Sequence, residues 1–404
     1  MKICVFGNQD NSGYRFCSWF RDSGHDAHLY MMERWESVRS RPEAIDRELA
    51  ETGYPPWIHW YTNSFRNTLF SHGKAIASIE KQFDVVIVIG SMAMMNAHHI
   101  KKLPMINIST GPSNQGVIKM WDHFGLKYAV FWTTVRYFVR KSVRRCQKIL
   151  VHYDPEIYSL AKLGQLGKAI YYGMPEDTDG NQRRVDQILL RDLNRKYESY
   201  DRVFLWLSRI AFSDPHSPMY KGADKFVEGV ERILAEGANL KVVIGRHGED
   251  AETLVTMVEA KGLSPYVEWV EHMPYWQLLT YMSIDNAIVF DELTSLHCVS
   301  SGMFRECLSV GGVLIRSYNR VLTRAGYGAD HCPVLHAESS EDVYKRMRQV
   351  LSWDSAVLAE WRRRAREWSA QHLDRRTQIP RLVSILEEVV YSHRTATQLQ
   401  SWYE

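Results

Sequence analysis

The feature that most constrains this chain is an alternation in which short apolar runs rich in β-branched residues recur at helix-length intervals. In the first half the runs are Met1 to Phe6, Ala27 to Met32, Val85 to Ile89, Met105 to Ile108 and Ile149 to His152. In the second half they are Val203 to Leu207, Leu240 to Ile244, Val267 to Val270, Ala287 to Phe290 and Val313 to Ile315. Unbroken apolar runs of this length read as parallel strands buried on both faces, and their alternation with helices reads as doubly wound sheets. The polar stretch Met174 to Arg184 (MPEDTDGNQRR) separates the two series and reads as a linker. The chain has 404 residues, more than the roughly 250 to 300 that one core serves. The expected fold class is therefore α/β, with two facing Rossmann-like domains, a cleft between them and helices at the C-terminal end. The expected boundaries are 1–176, completed by a C-terminal helix 380–404, and 177–379.

Composition excludes several function classes. With 45% hydrophobic and 24% charged residues the chain should fold throughout. A net charge of +3 is too small to point to nucleic acid. Cys4, Cys17, Cys146, Cys298, Cys307 and Cys332 form neither a CxxC pair nor a zinc spacing, and read as reduced structural thiols. MKICVFG enters a strand without a basic and apolar leader, and no run is long enough for a membrane span, so the cytoplasm is the expected location. The first loop, Gly7 to Gly13, lacks the G-x-G-x-x-G spacing of nicotinamide enzymes.

Ligands of doubly wound sheets bind where strand C-termini open into loops. Arg209 follows the run VFLWLS, and Lys221-Gly222 opens the next helix, so two cations flank one edge of the second sheet. Such cations, near a helix N-terminus, can stabilise a phosphate that gains charge as it departs. Between two later strands lies Ser300-Ser301-Gly302, small residues that open a helix with Glu306 one turn further in. Its first N–H groups suit a phosphate and its carboxylate suits ribose hydroxyls. Asp177-Thr178-Asp179 has the acid-x-acid spacing that can hold a metal, but it lies in the linker rather than after a buried strand, and no metal is expected.

Together these residues resemble a family. Ser208-Arg209, Lys221-Gly222, Gly245-Arg246-His247-Gly248, Met273-Pro274 and Glu306-Cys-Leu-Ser-Val-Gly-Gly, in that order, resemble the GT4-type retaining glycosyltransferases of GT-B fold. In the first half, Arg21 to Asp26 (RDSGHD) and Ile170 to Pro175 (IYYGMP) look like that family's turn after the first helix and its closing strand. The resemblance implies transfer of a sugar from a nucleotide-diphosphate sugar to a glycan or lipid-linked acceptor, with retention and without a metal or other cofactor. It gives Arg209, Lys221 and Glu306 the catalytic roles, the first two on the diphosphate and Glu306 on the ribose. The donor set adds Ser208, Gly245, Arg246, His247, Met273, Ser300, Ser301 and Gly302. Cys298 stands where the family has the first glutamate of its E-x7-E pattern, with Asp291 and Glu292 further upstream and His297 or Glu292 as the substitutes that a shift of the loop would bring in. The acceptor side takes Gly13, Thr110, Gly111, Asp122 and His123, without the histidine usual there. These departures also fit a catalytically silent GT-B protein that binds a nucleotide sugar or glycan. A sugar-nucleotide epimerase of the same fold is a further alternative, and it would consume no acceptor.

Between Trp132 and Lys148 the chain sorts by helical period, with Val135, Phe138, Val139, Val143 and Cys146 on one side and Arg136, Arg140, Lys141, Arg144 and Arg145 on the other. The apolar face suits the first sheet. The basic face suits anionic lipid headgroups, which extends the expected location to the inner face of the cytoplasmic membrane and suits acceptors of polysaccharide biosynthesis. Pro55 to Tyr61 (PPWIHWY) concentrates aromatics and reads either as a sugar-stacking surface or as a small satellite core.

Overall fold

The computed structural model describes residues 1–32, 41–46, 48–61, 73–109, 126–152, 154–215, 220–294 and 301–400. By compactness the chain divides into two units, Met1–Tyr172 with Ile379–Glu404, and Gly173–Gln378.

The first unit is built on a parallel sheet of β1 (Lys2–Phe6), β2 (Asp26–Met32), β3 (Ile58–Tyr61), β4 (Val85–Ile89), β5 (Met105–Ile108), β6 (Lys148–Val151) and β7 (Ala169–Tyr171). Their order is β3-β2-β1-β4-β5-β6-β7. Every residue of β4 is buried, because helices cover both faces of a parallel sheet and leave no polar side. β3 falls inside the aromatic stretch Pro55 to Tyr61: Ile58 faces Leu29 in register, while Trp57 stacks on Tyr14 with ring centroids 5.7 Å apart. Trp60 remains exposed.

The second unit carries β8 (Arg202–Trp206), β9 (Leu240–Gly245), β10 (Val267–Val270), β11 (Ala287–Asp291), β12 (Val313–Arg316) and β13 (Val334–His336), ordered β10-β9-β8-β11-β12-β13. All pairings are parallel. In both sheets the chain winds outward one way from the first strand and then starts again on its other side. That reversal, between β1 and β4 and between β8 and β11, is the topological switch point at which loops diverge and open a crevice. Trp206, Phe204, Phe226 and Phe290 fill the core behind the second one.

The stretch read as a linker contains a helix, Thr178–Arg184, because the Asp177 side chain accepts from Gly180 N and caps it. Asp177 also faces Arg184 at 3.3 Å, and Asp179 faces Arg376 at 2.9 Å. Both ends of the second unit are joined here: Glu176 and Asp374 form a parallel bridge, with Glu176 N donating to Leu373 O at 2.8 Å and Arg375 N to Glu176 O at 2.9 Å. The chain ends in two helices, Ser355–His372 and Arg375–Gln400.

Candidate functional site

At the second switch point β8 runs out into Leu207, Ser208 and Arg209, and β11 ends in Asp291 and Glu292. Asp291 is fully buried, and four side chains converge on it or on its neighbour. Ser208 Oγ donates to Asp291 Oδ1 at 2.5 Å, and Ser301 Oγ donates to Oδ2 at 2.8 Å. Lys221 Nζ lies 3.5 Å from Asp291 Oδ1 and is hydrogen-bonded to Glu292 Oε1. Arg316, at the end of β12, donates through Nη2 to Glu292 Oε2 and through Nη1 to Ser301 Oγ at 2.9 Å. Burial alone would raise the Asp291 carboxyl, but Lys221 and Arg316, helped by the two serine hydroxyls, hold it below the ordinary value.

The sequence shapes these loops by close backbone approaches. Lys221 N donates to Ala211 O at 2.8 Å, and Leu293 N donates to Lys221 O at 2.9 Å, so the loops after β8 and β11 are laced together. Gly222 sits at φ +79°, and a Cβ there would lie 2.6 Å from Leu293 O, so only glycine fits between lysine and helix Ala223–Ala235. Asp250 accepts from Phe212 N at 2.6 Å and Ser213 N at 2.9 Å, which fixes the bend after Arg209. Ser301 caps helix Gly302–Ser309 by accepting from Phe304 N at 3.2 Å. The Glu306 carboxylate turns back over the first turn of that helix, 3.6 Å from where a Cβ on Gly302 would stand.

Of the residues picked from the sequence, Ser208, Lys221 and Ser301 come together around Asp291, with Arg209 next along the β8 loop and Gly302 and Glu306 on the capped helix. Gly245 ends β9, with the His247 ring folded against it and 5.9 Å from the His272 ring. Arg246 turns instead to Glu252, gripping both carboxylate oxygens at 3.0 and 2.8 Å. Met273 is half-buried beyond β10. Ser300, His297 and Cys298 lie outside the described residues. Sequence reasoning did not pick out Arg316, noted Asp291 only as an acid upstream of Cys298, and gave Glu292 only as a substitute. The available signal was a charged residue closing each of the apolar runs AIVFD and VLIR, where a buried strand meets the crevice.

In the first unit Gly13 lies in the first turn of helix Ser12–Asp22, where a Cβ would fall 2.1 Å from Gly7 O. That contact lets the helix press on the loop after β1. Asn8 organises the same loop, accepting from Tyr14 N at 2.6 Å and donating to Asn11 Oδ1 at 3.2 Å. Thr110, Gly111, Asp122 and His123 lie outside the described residues. In the helix Leu126–Arg145 the faces separate as the period implies: Val135, Val139, Val143 and, just beyond its end, Cys146 join the core, while Arg140, Lys141 and Arg144 are exposed and Arg136 and Arg145 half-buried. Among the described residues no helix is long and apolar enough to cross a membrane. Cys4, Cys17, Cys146, Cys307 and Cys332 are free thiols, and burial pushes the Cys146 thiol up to about 12.

No family model matches the sequence, and no curated protein matches it. The likeness is to solved structures. HepE of Anabaena, in complex with UDP and glucose, shares 13% identity at a TM-score of 0.65, covering 96% of this chain and 100% of its own. A glycosyltransferase from Rickettsia africae shares 11% at 0.66, covering 96% and 98%. An α-glucosyltransferase in complex with UDP-glucose and DNA containing an abasic site shares 13% at 0.63, covering 96% and 99%. At such identities the likeness is one of fold, and the chain shares the GT-B architecture, two doubly wound α/β domains, with these proteins.

Proposed function

We propose that this protein is a glycosyltransferase that takes a sugar from a nucleotide-diphosphate donor bound at the switch point of its second sheet. The observation that carries the reading is the pair of laced loops there, which set Lys221-Gly222 at the head of one helix and the Ser301 cap at the head of another. Helix N-termini with adjacent cations are anion sites, and the departing diphosphate is the anion that the reaction must stabilise. The three proteins of like fold support it, two having been solved with UDP or UDP-glucose.

In this reading Arg209 and Lys221 hold the diphosphate, and the N–H groups at Ser301 and Gly302 cap it. Glu306 accepts from the ribose hydroxyls. Ser300, Gly245, Arg246, His247 and Met273 complete the wall on the nucleotide side. As in the GT4-type enzymes that the sequence resembles, the sugar–phosphate bond breaks as the acceptor oxygen attacks from the donor's own face. The acceptor proton passes to the departing phosphate, with retention and with cationic side chains doing the work of a metal. A glycan or lipid-linked acceptor suits the exposed Arg140, Lys141 and Arg144 of the first unit, which with Arg136 and Arg145 would meet anionic headgroups at the inner face of the membrane.

A second reading is a silent nucleotide-sugar or glycan binder, favoured by the pairing of Lys221 and Arg316 with carboxylates. The test begins with thermal shifts against UDP, GDP, ADP, CMP and their sugars, with and without EDTA. A metal-independent shift by one nucleotide, lost in Lys221→Ala and reduced in Glu306→Ala, supports the donor site. No shift, or one that needs manganese, sinks it. Binding without sugar transfer or donor hydrolysis would favour the silent reading.

A further inference from the structure

The charge cluster holds a group that the transfer reaction does not use. The Glu292 carboxylate spans two cations, one oxygen bonded to Lys221 and the other to Arg316. The two come from different segments, the lysine heading helix Ala223–Ala235 and the arginine closing β12. A phosphate group bridging two basic side chains makes the same pair of charge-assisted contacts. Glu292 also sits at φ +45°, a left-handed conformation that a long side chain adopts only where its surroundings impose it. Here they do: Leu293 N is held by Lys221 O, and Ser317 N is bonded to Glu292 O at 3.1 Å. Asp291 is sealed at 0% exposure and the Glu292 and Arg316 side chains are 5% and 2% exposed, whereas the Lys221 side chain is 17% exposed, so the lysine is the side from which an anion approaches the cluster.

We propose that Glu292 is an internal anion that sets the charge specificity of this site, and that Arg316 is a phosphate ligand beside Lys221. With Asp291 and Glu292 opposing Lys221 and Arg316 the four charges cancel. An incoming anion must therefore compete with Glu292 for the two cations. A ligand that brings only charge, such as inorganic pyrophosphate, competes poorly. A nucleotide diphosphate adds contacts through its ribose and base, and these tip the exchange. The inference rests on reading the site as a diphosphate site. Removing the Glu292 charge leaves the cluster at +1 and takes away the carboxylate that an incoming anion has to displace.

Isothermal titration of the full chain with pyrophosphate and with UDP tests this. Glu292→Gln keeps the shape and one acceptor oxygen, and it should bind pyrophosphate about tenfold tighter than wild type or better, with a smaller gain for UDP. Unchanged or weaker pyrophosphate binding overturns the inference. Should Glu292→Gln fail to fold, Glu292→Asp replaces it: one methylene shorter, it cannot span both cations, and a gain of about threefold is expected. Equal affinity there refutes the role equally. Adding Arg316→Gln to Glu292→Gln should erase the gain, and a gain that survives removes Arg316 from the site. If wild type binds no nucleotide diphosphate while Glu292→Gln gains pyrophosphate, the transferase reading fails and the charge role stands. If neither protein binds either ligand, both fail.

Discussion

Replacing Asp291 by asparagine removes a charge but no volume, and the neighbours dictate what the new amide would meet. Ser301 Oγ donates to Oδ2 at 2.8 Å while already accepting from Phe304 N at 3.2 Å and Arg316 Nη1 at 2.9 Å. An amide NH2 there would meet an oxygen whose lone pairs are both taken. On the other side Oδ1 accepts from Ser208 and faces the Lys221 ammonium at 3.5 Å, so an NH2 would point at a cation. Either orientation sets donor against donor, and one of two buried carboxylates is lost. Breaking a buried pair from one side costs about 3–5 kcal/mol, a large share of a typical total of about 5–15 kcal/mol. At roughly 2–4 °C per kcal/mol for a unit of this size, the midpoint should fall by roughly 6–20 °C. Urea unfolding of both proteins at pH 7, followed by tryptophan fluorescence, measures the difference. The pH dependence gives a second check. The folded-state value of Asp291 is depressed below the ordinary 3.8, so on acidification the unfolded chain takes up the proton first. The contribution of Asp291 is therefore complete above about pH 5 and drains away as pH falls through the folded value. Asparagine has no proton to take up, so the gap between the two proteins should narrow below about pH 4. A loss under about 1 kcal/mol at pH 7, or a gap unchanged down to pH 3, would refute the reasoning.

Gly222→Ala combines φ +79° with a Cβ 2.6 Å from Leu293 O, whereas Gly24→Ala has φ +81° and nothing within 4 Å. The second should cost only the left-handed term of about 1–2 kcal/mol. The first should cost more and weaken nucleotide binding, and equal losses in urea would show that the contact with Leu293 carries nothing. Arg305→Ala strips Glu176 of a partner at 3.0 Å, with side chains only 12% and 2% exposed, and should lose about 3 kcal/mol in the same assay. Glu306→Ala should raise the nucleotide Kd roughly tenfold with little change in the melting midpoint of the protein alone. A variant that melts early but binds normally would make Glu306 a structural residue.

The strands in the middle of each sheet were legible because burial on both faces leaves them no polar residues, as in VVIVI of β4. The edge strands β3 and β13 were not, although the edge strand β10, Val267–Val270, was. β3 lies within a run of aromatics, and β13, Val334–His336, is too short to show a period. In the candidate site Arg209 and Lys221 were legible from their place after a strand or before a helix, since local order fixes both, whereas Arg316, closing the run VLIR, was passed over. The carboxylate partners were not legible, because 71 positions separate Lys221 from Glu292 and only the parallel pairing of β8 with β11 brings them together. The helix at Thr178–Arg184 was hidden in a polar stretch because its cap, Asp177, is as common in turns as at helix starts.

The bridge between Glu176 and Asp374 has a consequence for how the gene can be cut. Because the second unit begins and ends on neighbouring, hydrogen-bonded residues, it is a cassette spliced into the first rather than a tail appended to it. The first unit's own cut ends are also near one another, since Arg381 donates to Tyr171 O at 3.4 Å and its guanidinium lies over the Tyr172 ring. Each break in the chain is therefore short enough in space to be spanned by a small loop. In a lineage of such proteins, a donor module could be exchanged whole, by two crossovers a few residues from this bridge, without rewriting the sheet that receives it.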